Sequence, residues 1–534
     1  MINKKKKVII ISIVSIVIIG IVMLLFFPWE KAPEGILIGS SNLPDSLNPI
    51  LEQHTQALVA DELVFDGLVN FEVDAASGKI GSEFAIAENI TQDPVTKKIY
   101  TAILRQMNWH DGTEVTANDV VFSYKAYVEP VNKSPKREYL QSFIEDVKAI
   151  DDKTVEITFR NPIPPFRAFP VLTFKIIPEI FNGKKLAFNL RSGENERLFA
   201  VQPIGTGPFK LASWEIGKWL TFSAYPGYFK RVPAAGTLII RKSIDPVIRL
   251  NEFRKGRINL ILETSPLDRP KTEGISGVDI NWYIPYAFYK VAINSNAPLF
   301  NNVFARQALS TSLDRSALVP NVTGRKDTVI NYGPFPSNLF SLNMKEYNVK
   351  PLEDTMSYDI TKAQKLAVSG GINEKTAILL YPDSLGEFGK QLSEGLVRQF
   401  AKIGLTVTAK RTGDQVFNRL VFVEKDYELA LLYCDGFDNL YSDIDKWYRS
   451  DGMYNISGIR DHELDTLFDT WDKTIIMHDW TQVTRQIHDR ILSNAPYVYL
   501  CTLEKDVYSR NIKNIVIASD NPFLSAENWS LSGL

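Results

Sequence analysis

LRQMNWHDGTEVTANDVVFSY, residues 104–124, carries three local signals in succession. An apolar strand end runs into the Asp111–Gly112 pair, a turn former, and a second short extended piece follows, which is the signature of a β-hairpin. Thr116 then reads as a helix cap with Asp119 three residues on, and Val120, Val121, Tyr124 and Val128 recur along one helical face. The same stretch sets His110 beside Asp111 with Glu114 and Asp119 close behind, which raises the question of metal or acid/base chemistry. A metal site needs a second ligand at matching spacing, and none is near. Asp111 has the turn to serve and Asp119 the positive end of the helix. The stretch predicts scaffold, a hairpin leading into a helix.

The same alternation extends along the chain. Apolar strand-like runs, ILIGS (36–40), TVEITF (154–159), TLIIR (237–241), KVAIN (290–294), TAILLY (376–381), LTVTAK (405–410) and YELALLY (427–433), are bounded by Gly, Pro, Asn or Asp. Between them lie amphipathic stretches. Residues 301–319 start a helix at an Asn302 cap and restart one at Asp314. Residues 384–404 align Phe388, Leu392, Leu396 and Phe400 at four-residue steps and end at Gly404. DHELDTLFDTWDKT (461–474) and the segment from His478 to Pro496 read as a helical pair ahead of a last strand, YVYLCTL. Strands alternating with helices predict a layered α/β body.

The chain has 534 residues, 45% of them hydrophobic and 23% charged, which suits a folded protein of several domains. Its formal charge is −2, but Lys4 to Lys7 stand in a 29-residue start that holds no acid, so the remainder carries −6. A mildly acidic body argues against nucleic acid as the main partner. Residues 8–27, VIIISIVSIVIIGIVMLLFF, are 20 uncharged residues, long enough to cross a bilayer as a helix. Lysines before the span predict a cytoplasmic amino terminus and an extracytoplasmic body. FFPWEKAPEG offers no convincing cleavage site, so the reading is an uncleaved single-pass anchor in the cell membrane.

Chemistry is otherwise sparse. His54, His462, His478 and His488 never fall three or four apart, so no helix presents a two-histidine metal face. There is no G-x-S-x-G elbow and no glycine loop ending in G-K-[ST]; PIGTGPF, residues 203–209, reads as a tight turn before a strand. Cys434 and Cys501 cannot make a metal knuckle or a disulfide framework, and spacing does not say whether they meet. No cofactor and no catalytic group is expected.

LRQMNWHDGTEVTANDVVFSY, PIGTGPFKLASWEIGKWLTFSAYPGYF and FNNVFARQALSTSLDRSALV resemble, in order and spacing, three signature blocks of the bacterial extracellular solute-binding protein family 5. This family includes the oligopeptide- and dipeptide-binding components of ABC importers. GSSNLPDSLNPI with LVFDGLVNFE is similar to its amino-terminal region, and LSNAPYVYLCTLEKDVYSRNIKNI to its carboxyl-terminal return. The resemblance implies a two-lobed α/β clamp of the periplasmic-binding-protein kind (class II, large type) behind the amino-terminal transmembrane helix. After residues 1–7, the anchor at 8–27 and a linker at 28–34, lobe I would span 35–285 with an extra subdomain at about 72–195. Lobe II would span 286–498, and 499–534 would return to lobe I. Two crossing strands would permit hinged closure on a ligand.

The resemblance also implies ligand residues. In peptide-binding members an aspartate after a strand pairs with the peptide α-ammonium, and in LALLYCDGFDNLYSD, residues 429–443, Asp435 matches it and Asp438 a second acid. The family's tryptophan three residues earlier is Leu432 here, with Tyr433 adjacent. Tyr433, Asp435, Gly436 and Asp438, with Tyr286 and Phe288 from the crossing strand WYIPYAFYK and Asn42 from the amino-terminal block, make up the expected ligand set. The expected function is capture of a peptide by a monomeric, membrane-anchored receptor and delivery to an ABC permease. A nickel chelate or an oligosaccharide in the same fold, or a surface hydrolase, are the alternatives.

Overall fold

The hairpin and helix form as their residues direct. Trp109 N donates to Thr113 O at 2.8 Å across a turn in which Gly112 takes φ +91°, and the Asp111 carboxylate accepts from Thr113 N at 2.9 Å. In the helix α1 (Ala117–Val128), Asp119 reaches back to accept from Thr116 N at 2.7 Å and buries its other oxygen on Glu179 N. His110 is buried, with Nδ1 accepting from Gly205 N (3.2 Å) and Nε2 against Gly207 O (2.9 Å). Asp111, Asp119 and His110 thus serve the scaffold, and His110 ties the hairpin to the PIGTGPF turn. That turn needs its glycines: a Cβ on Gly205 or Gly207 would collide with the backbone at Val64, whose carbonyl accepts from Gly207 N.

The computed structural model describes residues 35–52, 55–73, 80–265, 267–283, 285, 287–324, 329–331, 333–335, 357–434, 444–517 and 521–531. Residues 8–27 lie outside these; among the described residues no helix is long and apolar enough to cross a membrane. Ile36–Leu534 forms a compact unit.

After β1 (Ile36–Ser40) the chain builds a small antiparallel sheet from β2 (Ala87–Gln92), β3 (Ile99–Leu104), β4 (Ile144–Asp151) and β5 (Thr154–Phe159), in the order β2-β3-β5-β4. The helix α1 packs on it, and α2 (Pro165–Val171) follows. It then adds β6 (Phe209–Glu215), β7 (Trp219–Ala224), β8 (Thr237–Lys242), β9 (Leu260–Ile261) and β10 (Val278–Tyr283). Past residues 284–287 comes a second sheet: β11 (Phe288–Ile293), β12 (Val329–Ile330), β13 (Thr376–Pro382), β14 (Thr406–Thr412), β15 (Leu429–Cys434) and β16 (Tyr497–Thr502), ordered β12-β16-β11-β15-β13-β14. Leu503 and Glu504 lead back to β17 (Lys505–Arg510), which joins the first large sheet, β6-β7-β8-β1-β9-β17-β10. The chain therefore crosses between the two large sheets twice.

The first large sheet and the small one share an apolar core that includes Ile38, Leu238, Tyr100 and Trp109. The second sheet is covered on both faces. One face meets α3 (Val303–Thr311), α4 (Arg315–Thr323), α5 (Ile360–Gly370) and α6 (Gly386–Ala401) through Val291, Leu431 and Val498. The other meets α7 (Ile444–Tyr448), α8 (His462–Lys473) and α9 (Met477–Asn494) through Ala292, Leu432 and Tyr499. Every residue of β11 and β16 is buried as a result, each large apolar side chain contributing roughly 1.5–3 kcal/mol. The caps read from the sequence are made: Asn302 Oδ1 accepts from Phe304 N (2.8 Å) and Asp314 Oδ1 from Ala317 N (3.0 Å).

Candidate functional site

The sheet register decides where a ligand can meet both lobes. β1 runs parallel to β8 and β9, and β17, which enters from the second lobe at Lys505, is antiparallel to β9. The carboxyl ends of the parallel strands therefore point at the crossings, the end where open α/β sheets take ligands. The loop after β1 lies there. Ser40 Oγ lies 2.8 Å from Glu263 Oε1 and 2.7 Å from Asn42 O, with one proton to share between these acceptors, while Ser41 N donates to Glu263 Oε2 (2.5 Å). This holds the exposed Asn42 at the mouth of the first lobe. In the second lobe β11 starts at Phe288 just past the crossing, and β15 pairs with it antiparallel and ends at Cys434 opposite Phe288.

Tyr433 is half-buried at that end. Its ring packs 4.8 Å from the ring of Tyr289, and Lys505 Nζ of the return crossing lies 5.6 Å from its centroid. It thus neighbours the return crossing as well as the second lobe. Phe288, expected among the ligand residues, is fully buried, facing Tyr499 at 5.9 Å in the core beneath α7 to α9. Alternation along a strand sends side chains to two faces. Here helices cover both, so neither face of β11 is open. Asp435, Gly436, Asp438 and Tyr286 lie outside the described residues.

Arg269 and Lys290 also stand near this end. Arg269 pairs with Glu504 (3.4 Å) and Asp506 (3.7 Å), tying the first lobe to the return crossing. Lys290 is buried in the middle of β11, its ammonium 3.9 Å from the Trp447 ring centroid and 4.0 Å from that of Tyr497. Burial pushes its pKa down, opposed by the neighbouring Cys434 thiol. A lysine inside FYKVAI, an otherwise uncharged strand, was the visible clue.

Among the described residues no group of three or more His, Cys, Asp or Glu could hold a metal. His110 is held neutral by burial, its pKa lowered to about 4. Cys434 and Cys501 are both buried and unpaired with one another; they flank β11 on different strands and belong to opposite faces of the sheet.

Comparison with known proteins agrees with a binding site. The family model for bacterial extracellular solute-binding proteins, family 5 (middle region) matches residues 85–455. Protein XP55 of Streptomyces lividans is 28% identical over 310 residues, 57% of this chain and 53% of that protein, so the chain spans about half the length of that relative. The dipeptide-binding protein of Escherichia coli is 25% identical over 392 residues, 68% of this chain and 69% of that one. Among solved structures, the substrate-binding protein CtaP of Listeria monocytogenes superposes with a TM-score of 0.80 at 24% identity, covering 93% of this chain and 99% of that one. AppA of Bacillus subtilis in complex with a nonapeptide gives 0.73 at 18% identity, covering 93% and 98%. The fold is the two-lobed, mixed α/β one of these binding proteins. With the family model matching well over half its length, the chain belongs to the bacterial extracellular solute-binding proteins, family 5, and is a binding protein rather than an enzyme.

Proposed function

We propose that this protein captures peptides by closing its two lobes and passes them to an ABC permease, held at the membrane by residues 8–27. The observation that carries the reading is the match over residues 85–455 to a solute-binding family, in a chain whose relatives include a dipeptide-binding protein. The topology supports it. Two short crossings let the lobes move as rigid bodies, and the loop bearing Asn42 and the strand end bearing Tyr433 both lie at the crossing end of their sheets.

In this reading Asp435 pairs with the peptide α-ammonium, which loses its hydration on closure and needs a matched carboxylate. The adjoining Tyr433, Gly436 and Asp438 line the same segment, and backbone hydrogen bonds hold the peptide without reading its side chains. No bond is made or broken; the ligand draws an open–closed equilibrium towards closed. Native mass spectrometry of the purified chain should show a co-purifying peptide, and di- to octapeptides should raise its melting temperature. Asp435→Ala should abolish both effects. If no peptide shifts the melt while a nickel chelate or an oligosaccharide does, the peptide assignment is wrong.

A further inference from the structure

A further contact joins the lobes, between α2 and α8. α2 belongs to the part of the chain that carries the small sheet, and its Arg167 is only 5% exposed because it is inserted into the second lobe. The guanidinium NH1 donates to Trp471 O (3.3 Å) and Asp472 O (3.1 Å), and NH2 lies 3.5 Å from Asp472 Oδ1. Its carbon lies 5.4 Å from the centroid of the Trp471 ring. These carbonyls end α8, where the helix leaves acceptors unfilled and favours a positive charge. The preceding residue, Phe166, sets its ring edge-on to Trp480 at 6.2 Å, and Trp480 stacks on Trp471 at 5.1 Å. Trp471 is fixed in turn by Nε1 donating to Thr484 Oγ1 at 2.8 Å.

The acceptor side is braced from within the second lobe. Arg449 NH2 donates to Asp472 Oδ2 (3.1 Å) and NH1 to Asp469 Oδ1 (2.7 Å), and the same guanidinium lies 3.5 Å from Asp445 on α7. Asp472 is thereby held for Arg167 rather than left to swing into solvent. Any rotation that parts α2 from α8 breaks these contacts.

We infer that Arg167, with Phe166, is a clasp that sets the closed fraction of this protein independently of what is bound. This rests on the reading that the chain works by lobe closure, and it adds a positioning residue to it. Because the apparent dissociation constant is the intrinsic one divided by the competent fraction, loss of the clasp weakens every ligand by one common factor, expected to be about tenfold. A residue that touches ligand would instead change the ranking among ligands.

The test uses the full chain in detergent, with nitroxides at Val95→Cys and Val368→Cys. These positions are 86% and 67% exposed and lie in the small-sheet part and on α5 of the second lobe, while the native cysteines are buried from the label. Without ligand, double electron–electron resonance should show a closed-lobe distance and an open-lobe distance for the parent, with the closed share reduced about tenfold in Arg167→Ala. Phe166→Ala, which leaves the guanidinium in place at a half-buried site, should give an intermediate shift and decides the matter if Arg167→Ala does not fold. Trialanine and hexaalanine should each bind Arg167→Ala about tenfold more weakly than the parent, in unchanged order. Distance distributions of the folded variants superimposing on the parent's would overturn the clasp. Failure of both peptides to bind the parent would instead count against the peptide reading, with the distances still deciding the clasp.

Discussion

His110 offers a quantitative check on the scaffold reading of residues 104–124. The residue is 7% exposed, and burial is the main reason its pKa falls from 6.5 to about 4; nearby Lys210 pushes the same way, and the hydrogen bond to Gly207 O opposes them. The folded histidine resists protonation and the unfolded one does not, so between those two values the unfolded chain binds more protons. Stability from this residue is therefore intact above about pH 6.5 and drains away as the pH falls towards 4. Taking the two values at face, the loss at pH 5 relative to pH 8 is about 2 kcal/mol.

His110→Gln keeps a polar side chain but cannot titrate. Its own cost, roughly 1–3 kcal/mol for disturbing two buried hydrogen bonds, is the same at every pH. Urea melts followed by tryptophan fluorescence at pH 8, 7, 6 and 5 should thus show the parent's advantage over His110→Gln shrinking by about 2 kcal/mol across the series. If the two proteins lose stability in parallel, His110 is already charged or already solvated in the fold, and its role as a neutral staple between the hairpin and the PIGTGPF turn is wrong.

Three further outcomes follow from other residues of the fold. Gly205→Ala should destabilise by roughly 3 kcal/mol or more in the same melts, because the added methyl drives into the Val64 backbone and breaks the pairing with His110. Lys290→Met should raise the melting temperature near pH 7, since burial disfavours the ammonium more than its aromatic neighbours favour it; the gain should shrink on raising the pH towards 10.5, as the lysine sheds its proton in the folded state first. Burial, with help from the Asp472 charge and against Arg449, pushes the Asp445 carboxyl up to about 6, so its ionisation is a cost that grows from pH 4 to 7. Asp445→Asn should therefore gain on the parent by roughly 2 kcal/mol over that interval, and a pH-independent difference would refute it.

What the sequence made legible was whatever a few neighbouring residues decide. Asn302 and Asp314 cap the helices they were read to cap, and Phe388, Leu392, Leu396 and Phe400 are all buried along one side of α6. Gly404 ends that helix region at φ +81°, and the Asp111–Gly112 turn forms with its own hydrogen bonds. These choices are made within one or two turns of chain, where capping and steric preferences outweigh everything else. The scaffold blocks are built from such choices, which is why they also carry the family resemblance.

Phe288 and Arg167 show where that reasoning stops. Alternation in WYIPYAFYK predicts which side of β11 a residue takes, but not that helices starting at Val303 and at His462 will cover both sides and bury Phe288. Arg167 meets its acceptors 304 and 305 residues away, and nothing near it in sequence marks it off from the other basic residues of the chain. Lys290 is the intermediate case: its charge inside an uncharged strand is visible locally, while the ring cage that tolerates it is assembled from α7 and β16. Solute binding by two lobes depends on such contacts between distant segments, since affinity is set jointly by the groups at the crossing end and by whatever holds the lobes together. Substitutions at Tyr433 or Asn42 should then alter which ligands bind, and substitutions at Arg167 how tightly all of them do, a division that binding titrations across a peptide series can separate.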